Sequence, residues 1–317
     1  MASFGDLNRV NTNIQSLDSQ LSLNRINRDM ADNQLRMSTG LRINRAEDDA
    51  AGYSIATKLN SRVAGLEQSM QNVGDAKSVL DIAESSFDTI MDNLIEMKGL
   101  ATQAANDTLG ETERGYIGEQ IAALGDGINK IANQSVFQDL DLLNGTGNTG
   151  SLSLTFQVGE RAEDTITADI DAVNVGQLFT AGADASLGST TGGATDGSAI
   201  SVTTATVGGQ GAFTFATGTG AATSDDFRAF MSSVDSAIDS MSNRVNDIGI
   251  AQSSLSTREE TLSQSISANQ SAKSRIMDAD FAKEQSESVR LQILQQTATS
   301  ALAQANMGPQ SVLGFLG

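Results

Sequence analysis

The chain has 317 residues, room for two or three domains, and a net charge of −19. So acidic a balance argues against a nucleic-acid backbone or an anionic membrane as partner, and the absence of Cys and His removes disulfides, thiolate metal sites and the commonest general base. A single proline, no Trp and 4% aromatics are unlike a globular enzyme and suit long unbroken helices.

The opening MASFGDLNRV lacks a basic stretch followed by an apolar one, so no ordinary secretory signal is expected. No run of 18 apolar residues predicts a membrane span. Residues 4–36 read as a helix on Leu7, Val10, Ile14, Leu17 and Leu21, with the stripe shifting to Leu23, Ile26 and Met30. Rich in Asn, Ser, Asp and Arg, it is marginal alone and is expected to fray in the free chain. The period breaks over MSTGLRINRAEDDAAG at 37–52. Gly40 suits a helix C-cap, Leu41 and Ile43 anchor the loop, and Arg42 and Arg45 face Glu47, Asp48 and Asp49. These acids fit the first turn of the next helix, where the dipole favours them; neighbours on a helix point apart and do not converge on a metal.

That next helix organises the chain. Leu59, Val63, Leu66, Met70, Val73, Ala76, Leu80, Ala83, Phe87, Ile90, Leu94, Met97 and Ala101 advance by three or four, averaging 3.5, the period of a coiled-coil seam. At 1.5 Å per residue the stripe is roughly 60 Å long and needs a partner of similar length. Asp107, Thr108 and Gly110 mark a turn, with Thr108 or Thr112 as N-cap. Tyr116, Ile117, Ile121, Leu124, Ile128 and Ile131 then form a shorter helix to about Gln134, folding back as an antiparallel hairpin.

The period changes to two at Leu152, Leu154, Phe156 and Val158; a turn over 159–164 and a return strand to Ile170 make a β-hairpin. Residues 178–222 are Gly, Ala, Ser and Thr with short β runs at 199–207 and 212–217, a small β-rich insert or partly disordered loop with no phosphate-cradling motif. The partner of the first long helix follows. Phe227, Met231, Val234, Ile238, Met241, Val245, Ile248, Leu255, Leu262, Ile266 and Ile276 keep one heptad frame, with Gln252, Glu259, Asn269 and Lys273 at polar seam positions that can fix register. The tail carries Val289, Ile293, Leu294, Ala298, Ala301, Leu302 and Ala305, a stop near Gly308 and Pro309, and an apolar tip with Val312, Leu313, Phe315 and Leu316. Each terminal helix has only the other for a mate, and their apolar seams mark an association surface. Paired carboxylates at Asp48/Asp49, Asp225/Asp226 and Glu259/Glu260 are adjacent on helices or their ends and do not share a substrate.

GLRINRAEDDAAG at 40–52, LTFQVG at 154–159 with DTITADI at 164–170, and MDADFAKEQSESVRLQILQQTATSALAQANMGPQSVLGFLG at 277–317 resemble the bacterial flagellins. The resemblance covers about 1–177 and 223–317. The fold class it supports is mainly α: a long antiparallel helical coiled-coil rod with a β-hairpin and a small β-rich insert, the N- and C-terminal helices paired. It implies a terminal coiled-coil domain (1–37 and 278–317) that lines an inner tube and is disordered before assembly. It further implies a helical core (38–177 and 223–277) and a variable solvent-facing insert (178–222). Leu7, Val10, Ile14, Leu17, Leu21, Val289, Ile293, Leu294, Leu302, Val312 and Leu313 become self-assembly residues. Leu41, Arg42, Ile43, Asn44, Asp48 and Asp49 become the signature loop. The implied function is a structural subunit that polymerises into the filament for swimming, with a hook–filament junction protein as alternative; no enzyme and no cofactor is implied. Implied partners are copies of itself, the flagellar cap and hook–filament junction proteins, and an export chaperone at the tail, with secretion to the extracellular filament. The innate flagellin receptor motif is met at Glu96, Lys98, Leu100 and Gln103 with a charge reversal at Glu96 and Gly99 in place of a glutamate, which implies weak or absent receptor activation. The acidic surface predicts that assembly needs salt or divalent cations.

Overall fold

The computed structural model describes residues 13–144, 150–180, 188–191, 200–204, 211–215 and 222–313. Six helices and seven strands occur among them: α1 (Ile14–Thr39), α2 (Ala50–Ala104), α3 (Glu111–Gln134), β1 (Val136–Phe137), β2 (Leu140–Asp141), β3 (Ser151–Gln157), β4 (Thr165–Asp171), α4 (Val175–Thr180), β5 (Gly188–Thr191), β6 (Ile200–Thr204), β7 (Gly211–Phe215), α5 (Ser224–Met277) and α6 (Phe281–Leu313). Side chains that want to bond their own backbone start the helices. Asn13 Oδ1 takes the Ser16 amide, Asp49 Oδ1 those of Ala51 and Gly52, and Asp280 Oδ1 those of Ala282 and Lys283. Thr223 and Asp226 exchange bonds as a capping box at α5. Gly40 ends α1 in the left-handed region (φ 71°), its amide on Arg36 O. α3 departs from expectation: Gly110, not a threonine, is its N-cap, with no side-chain cap bond. α6 runs past Pro309 to Leu313, although that ring gives no amide to the preceding turn.

The chain divides into two compact units, residues 1–64 with 266–317 and residues 65–265. These boundaries lie inside α2 and α5, not at the loop over 40–49. In the first unit α1 and α6 run antiparallel. Asn13 Nδ2 donates to Ala305 O (2.8 Å), Gln295 Nε2 to Asn27 Oδ1 (2.9 Å), and Asn33 Nδ2 to Glu284 O and Oε2 (3.0 and 2.7 Å).

The second unit holds the apolar seam of α2 and α5. Val73, Leu80, Phe87, Ile90 and Leu94 are buried, as are Phe227, Val234, Met241, Ile248 and Leu255. Its antiparallel register is fixed at the edges: Lys77 pairs with Glu259 (3.0 Å), Gln252 Nε2 donates to Asp81 and Glu84 (3.0 and 2.7 Å), and Lys98 pairs with Asp235 (2.5 Å). Three of the polar seam positions have cross-helix partners: Gln252 and Glu259 as above, and Lys273, whose Nζ donates to Asn60 Oδ1 (2.8 Å). The α3 helix folds back on α2, its cap Ser135 sharing a 2.7 Å hydroxyl bond with Ser86. Strands β3 and β4 pair antiparallel from Ser151↔Asp171 to Gln157↔Thr165. Strand β6 lies between β5 (parallel) and β7 (antiparallel). The insert strands are not a lobe apart: β7 packs on α3, and Ile200, Val202 and Phe213 are buried.

Candidate self-assembly surface

The helix pair α1/α6 is built with its apolar stripe outward. Ile14, Leu17 and Leu21 are 37, 57 and 49% exposed on α1; Val289, Ile293 and Leu294 are 48, 58 and 38% exposed on α6. The residues turned into the α6 side of the pair are Glu284, Ser288, Leu291, Gln295, Ala298, Leu302 and Ala305, which step by four and three as a heptad seam should. They are mostly small or polar, and polar groups inside a seam persist only when hydrogen-bonded. Asn33 and Glu284 do this for each other, both at least nine-tenths buried, while Asn33 Oδ1 keeps no partner. A chain that turns Leu and Ile outward along two neighbouring helices presents a surface for association. Of the predicted assembly residues, Leu302 alone among the described side chains sits half-buried in the α1/α6 seam. Leu7 and Val10 lie outside the described residues; Val312 and Leu313 fall within α6 with side chains outside them.

The loop between α1 and α2 ties that turn to the one between α5 and α6. Leu41 bridges Asp278, Arg42 N donates to Met277 O (2.6 Å), and Ala279 N donates to Gly40 O (2.9 Å). Arg42 does not reach the acids it was expected to face; its guanidinium donates to Ile276 O (2.7 Å). Ile43 is buried, and Asn44 Nδ2 folds back to Leu41 O. Nor do the acids lie in the first turn of α2, which begins only at Ala50. Glu47 pairs with Arg45 (2.9 Å), and Asp49 caps the helix. Asp48 Oδ2 accepts the amides of Arg45 and Asn44 (2.9 and 3.0 Å), and these donors hold its carboxyl below the usual aspartate value.

In the α2/α5 seam Val63, Leu66 and Leu262 are buried, while Leu59, Met70, Met231, Ile238 and Val245 are half-buried. In the receptor-like stretch Glu96 and Gln103 are exposed and Lys98 and Leu100 half-buried. Several structural side chains carried no stripe or motif to flag them. Arg244 donates to Ala172 O, and its burial pushes the guanidinium pKa down. Arg258 donates to Val158 O beside an open groove of about 530 Å³ between the hairpin turn and α5. Its charge is already met by Asp164 at 3.7 Å. Among the described residues no group of three or more acids is placed to hold a metal ion, and no helix is long and apolar enough to cross a membrane.

Known proteins resemble this chain over nearly its whole length. Residues 10–148 match the model of the bacterial flagellin N-terminal helical region, and residues 231–316 that of the bacterial flagellin C-terminal helical region. Flagellin of Bacillus subtilis (strain 168) is 32% identical over 316 residues, covering 97% of this chain and 99% of the relative. The flagellar filament 33 kDa core protein of Treponema phagedenis is 30% identical over 315 residues, again covering 97 and 99%. A solved structure of a putative flagellar hook-associated protein from Vibrio parahaemolyticus covers 73% of this chain and 97% of its own at 14% identity; with a TM-score of 0.42 that likeness carries no argument.

Proposed function

The chain belongs to the bacterial flagellin family, and on that premise we propose how its parts divide the work. It is a structural subunit of the flagellar filament, assembled from copies of itself. The observation that carries this reading is the outward apolar stripe on two hydrogen-bonded terminal helices, at the two ends of a chain that the family models match on both sides. Heterologous contacts between identical chains whose rotation does not close into a ring give an open helical polymer. We assign 1–37 and 278–317 to the inner tube, 38–177 and 223–277 to the tube around it, and 178–222 to the solvent side. The assembly residues work between copies, the α2/α5 seam within one, and the signature loop holds the two turns together. The chain is material rather than enzyme. It is secreted to the extracellular filament, takes an export chaperone at its tail, and meets the cap and hook–filament junction proteins at the filament ends. The hook–filament junction alternative has no observation in its favour.

The test is polymerisation of the purified chain followed by negative-stain electron microscopy, beside a version lacking 278–317. The full chain should form filaments; the truncated one should keep its helical circular dichroism and form none. Filaments from the truncated chain would refute the role given to the arms. Receptor activation should be weak, because Glu96 is an exposed acid where the receptor motif has arginine. Full potency in a reporter-cell assay would reject that.

A further inference from the structure

One face of α3 is cut to fit β7. A Cβ built at Gly125 would lie 2.6 Å from the Phe213 ring, and one at Gly118 would lie 2.9 Å from the Phe215 ring. Neither glycine has positive φ, so the backbone does not require them, and each weakens a helix interior relative to alanine. Their use is the notch. Asn129, one turn beyond Gly125, is buried and faces both ways: Nδ2 donates to Gly211 O at the start of β7 (2.8 Å), and Oδ1 accepts from Val175 N at the start of α4 (3.1 Å). Gly211 in turn lies against the Gly176 backbone, 2.7 Å from where a Cβ would sit. The two seated rings continue into the α5 core. Phe213 meets Phe230 edge-on at 5.3 Å and Phe179 at 4.8 Å, and Phe215 stacks on Phe227 at 5.8 Å. Such ring pairs add to what burial alone contributes.

We infer that the strand 211–215 is a built-in docking partner of α3, seated by Gly118, Gly125 and Asn129, and that the helical core of the second unit closes only when it is in place. This goes beyond an insert that merely faces solvent. Phe213 and Phe215 belong to the core although their segment lies in the insert, so this strand is not free to vary or to be trimmed away. Phe227 and Phe230, fully buried on α5, lose their cover without it.

The experiment compares thermal unfolding of six full-length chains: the unaltered and the Phe213→Ala chain, each alone, with Gly125→Ala and with Gly74→Ala. Gly125→Ala alone should lower the midpoint by about 5 °C, because the new methyl meets the Phe213 ring. In a Phe213→Ala background the same change should raise the midpoint by roughly 2–4 °C, since the obstruction is gone and only helix propensity remains. Gly74→Ala, whose Cβ would meet nothing within 4 Å, should raise it equally in both backgrounds. The reversal of sign at Gly125 is the signature of docking. An equal shift in both backgrounds, or a rise in the otherwise unaltered chain, overturns the inference. Should Phe213→Ala not fold, Phe213→Leu with hydrogen exchange replaces it: the Val175 amide should exchange at least tenfold faster, and unchanged protection there overturns the inference as well.

Discussion

Two antiparallel helix pairs sit in this chain, and they distribute their apolar side chains differently. In α2/α5 the apolar stripe faces inward: Leu80, Phe87, Ile90 and Leu94 have no exposure beyond 1%, and charged pairs such as Lys77–Glu259 lie along the edge. In α1/α6 the inward positions mix Asn33, Glu284, Ser288 and Gln295 with Leu291 and the half-buried Leu23, Ile26 and Leu302, while Ile14, Leu17, Leu21, Val289, Ile293 and Leu294 face out. The charges divide in the same way. Residues 1–64 and 266–317 carry 12 Lys and Arg against 11 Asp and Glu, whereas residues 65–265 carry 8 against 28, which together account for the −19. The first pair is close to neutral with apolar sides open to other copies. The second satisfies itself and repels its like. A stripe at 3.5-residue spacing therefore announces that a helix has a partner without saying whose helix that partner is.

The sharpest way to separate the two pairs is to damage each where it is apolar. Leu17→Ser with Leu21→Ser and Ile293→Ser removes three exposed side chains. Polymerisation should be lost altogether, while the thermal midpoint of the monomer shifts by no more than about 2 °C, as for surface substitutions of within ±0.5 kcal/mol each. If the triple variant still polymerises, or if it unfolds the monomer, the stripe is not an outward assembly surface. Phe87→Ala makes the opposite cut. A fully buried ring lost from a packed seam costs about 3–5 kcal/mol of stability. Chemical denaturation would show a cost under about 1 kcal/mol if the α2/α5 seam were loosely packed instead.

The charge division sharpens the expected salt dependence. Repulsion between copies should come from residues 65–265, so the salt required for assembly should follow their charge and not that of the arms. At about 0.01 M ionic strength the screening length is roughly 30 Å and polymerisation should slow strongly; at 0.15 M it is about 8 Å and polymerisation should proceed. Asp88→Asn with Asp92→Asn and Glu96→Gln, all exposed on α2, should move the midpoint of that dependence to lower salt. Light scattering against ionic strength reads this out. Equal polymerisation at both salt levels would remove electrostatics from the account.

Much of the fold was legible because long stripes are strong signals. The C-terminal end of α2, the span of α5, the β3/β4 hairpin and the Gly40 cap follow from apolar spacing, alternation and one left-handed glycine; the start of α2 does not, since the acids expected in its first turn precede Ala50. The α1/α6 seam was not, because its signal is an absence. Reading for Leu and Ile finds mostly the outer face of α6 and passes over Glu284, Ser288, Leu291 and Gln295, which the seam combines with Ala298, Leu302 and Ala305. The β1/β2 hairpin was also hidden, since its two-residue turn places Gln138 and Asp139 at φ 47° and 65° where Asn-Gly would be the usual cue. Phe213 and Phe215 stand in a Gly- and Thr-rich segment, and nothing in that composition tells that their rings enter notches on a helix nearly a hundred residues earlier in the chain.

The smallest expected effect lies in the loop that fastens the two turns, and it is specific to the first unit. Asp48 is held below its ordinary value of 3.8 by the amides of Arg45 and Asn44, with Arg36 at 3.9 Å adding to the effect. A carboxyl whose folded pKa is depressed contributes stability that is present above its unfolded value and is lost as pH falls through the lower, folded one. The loop should therefore hold at neutral pH and loosen below about 3.8, while the apolar α2/α5 seam, which has no titrating group at its centre, keeps its protection. The residue lies at the surface with its side chain 22% exposed, so solvent screens it and the change is local and small. Asp48→Asn keeps an acceptor for the amides and removes the charge, and with it the pH dependence. Amide exchange at Asn44 and Arg45 across the acid range measures both, and protection that persists unchanged well below pH 3.8 in the unaltered chain would show that the carboxylate does not hold this loop.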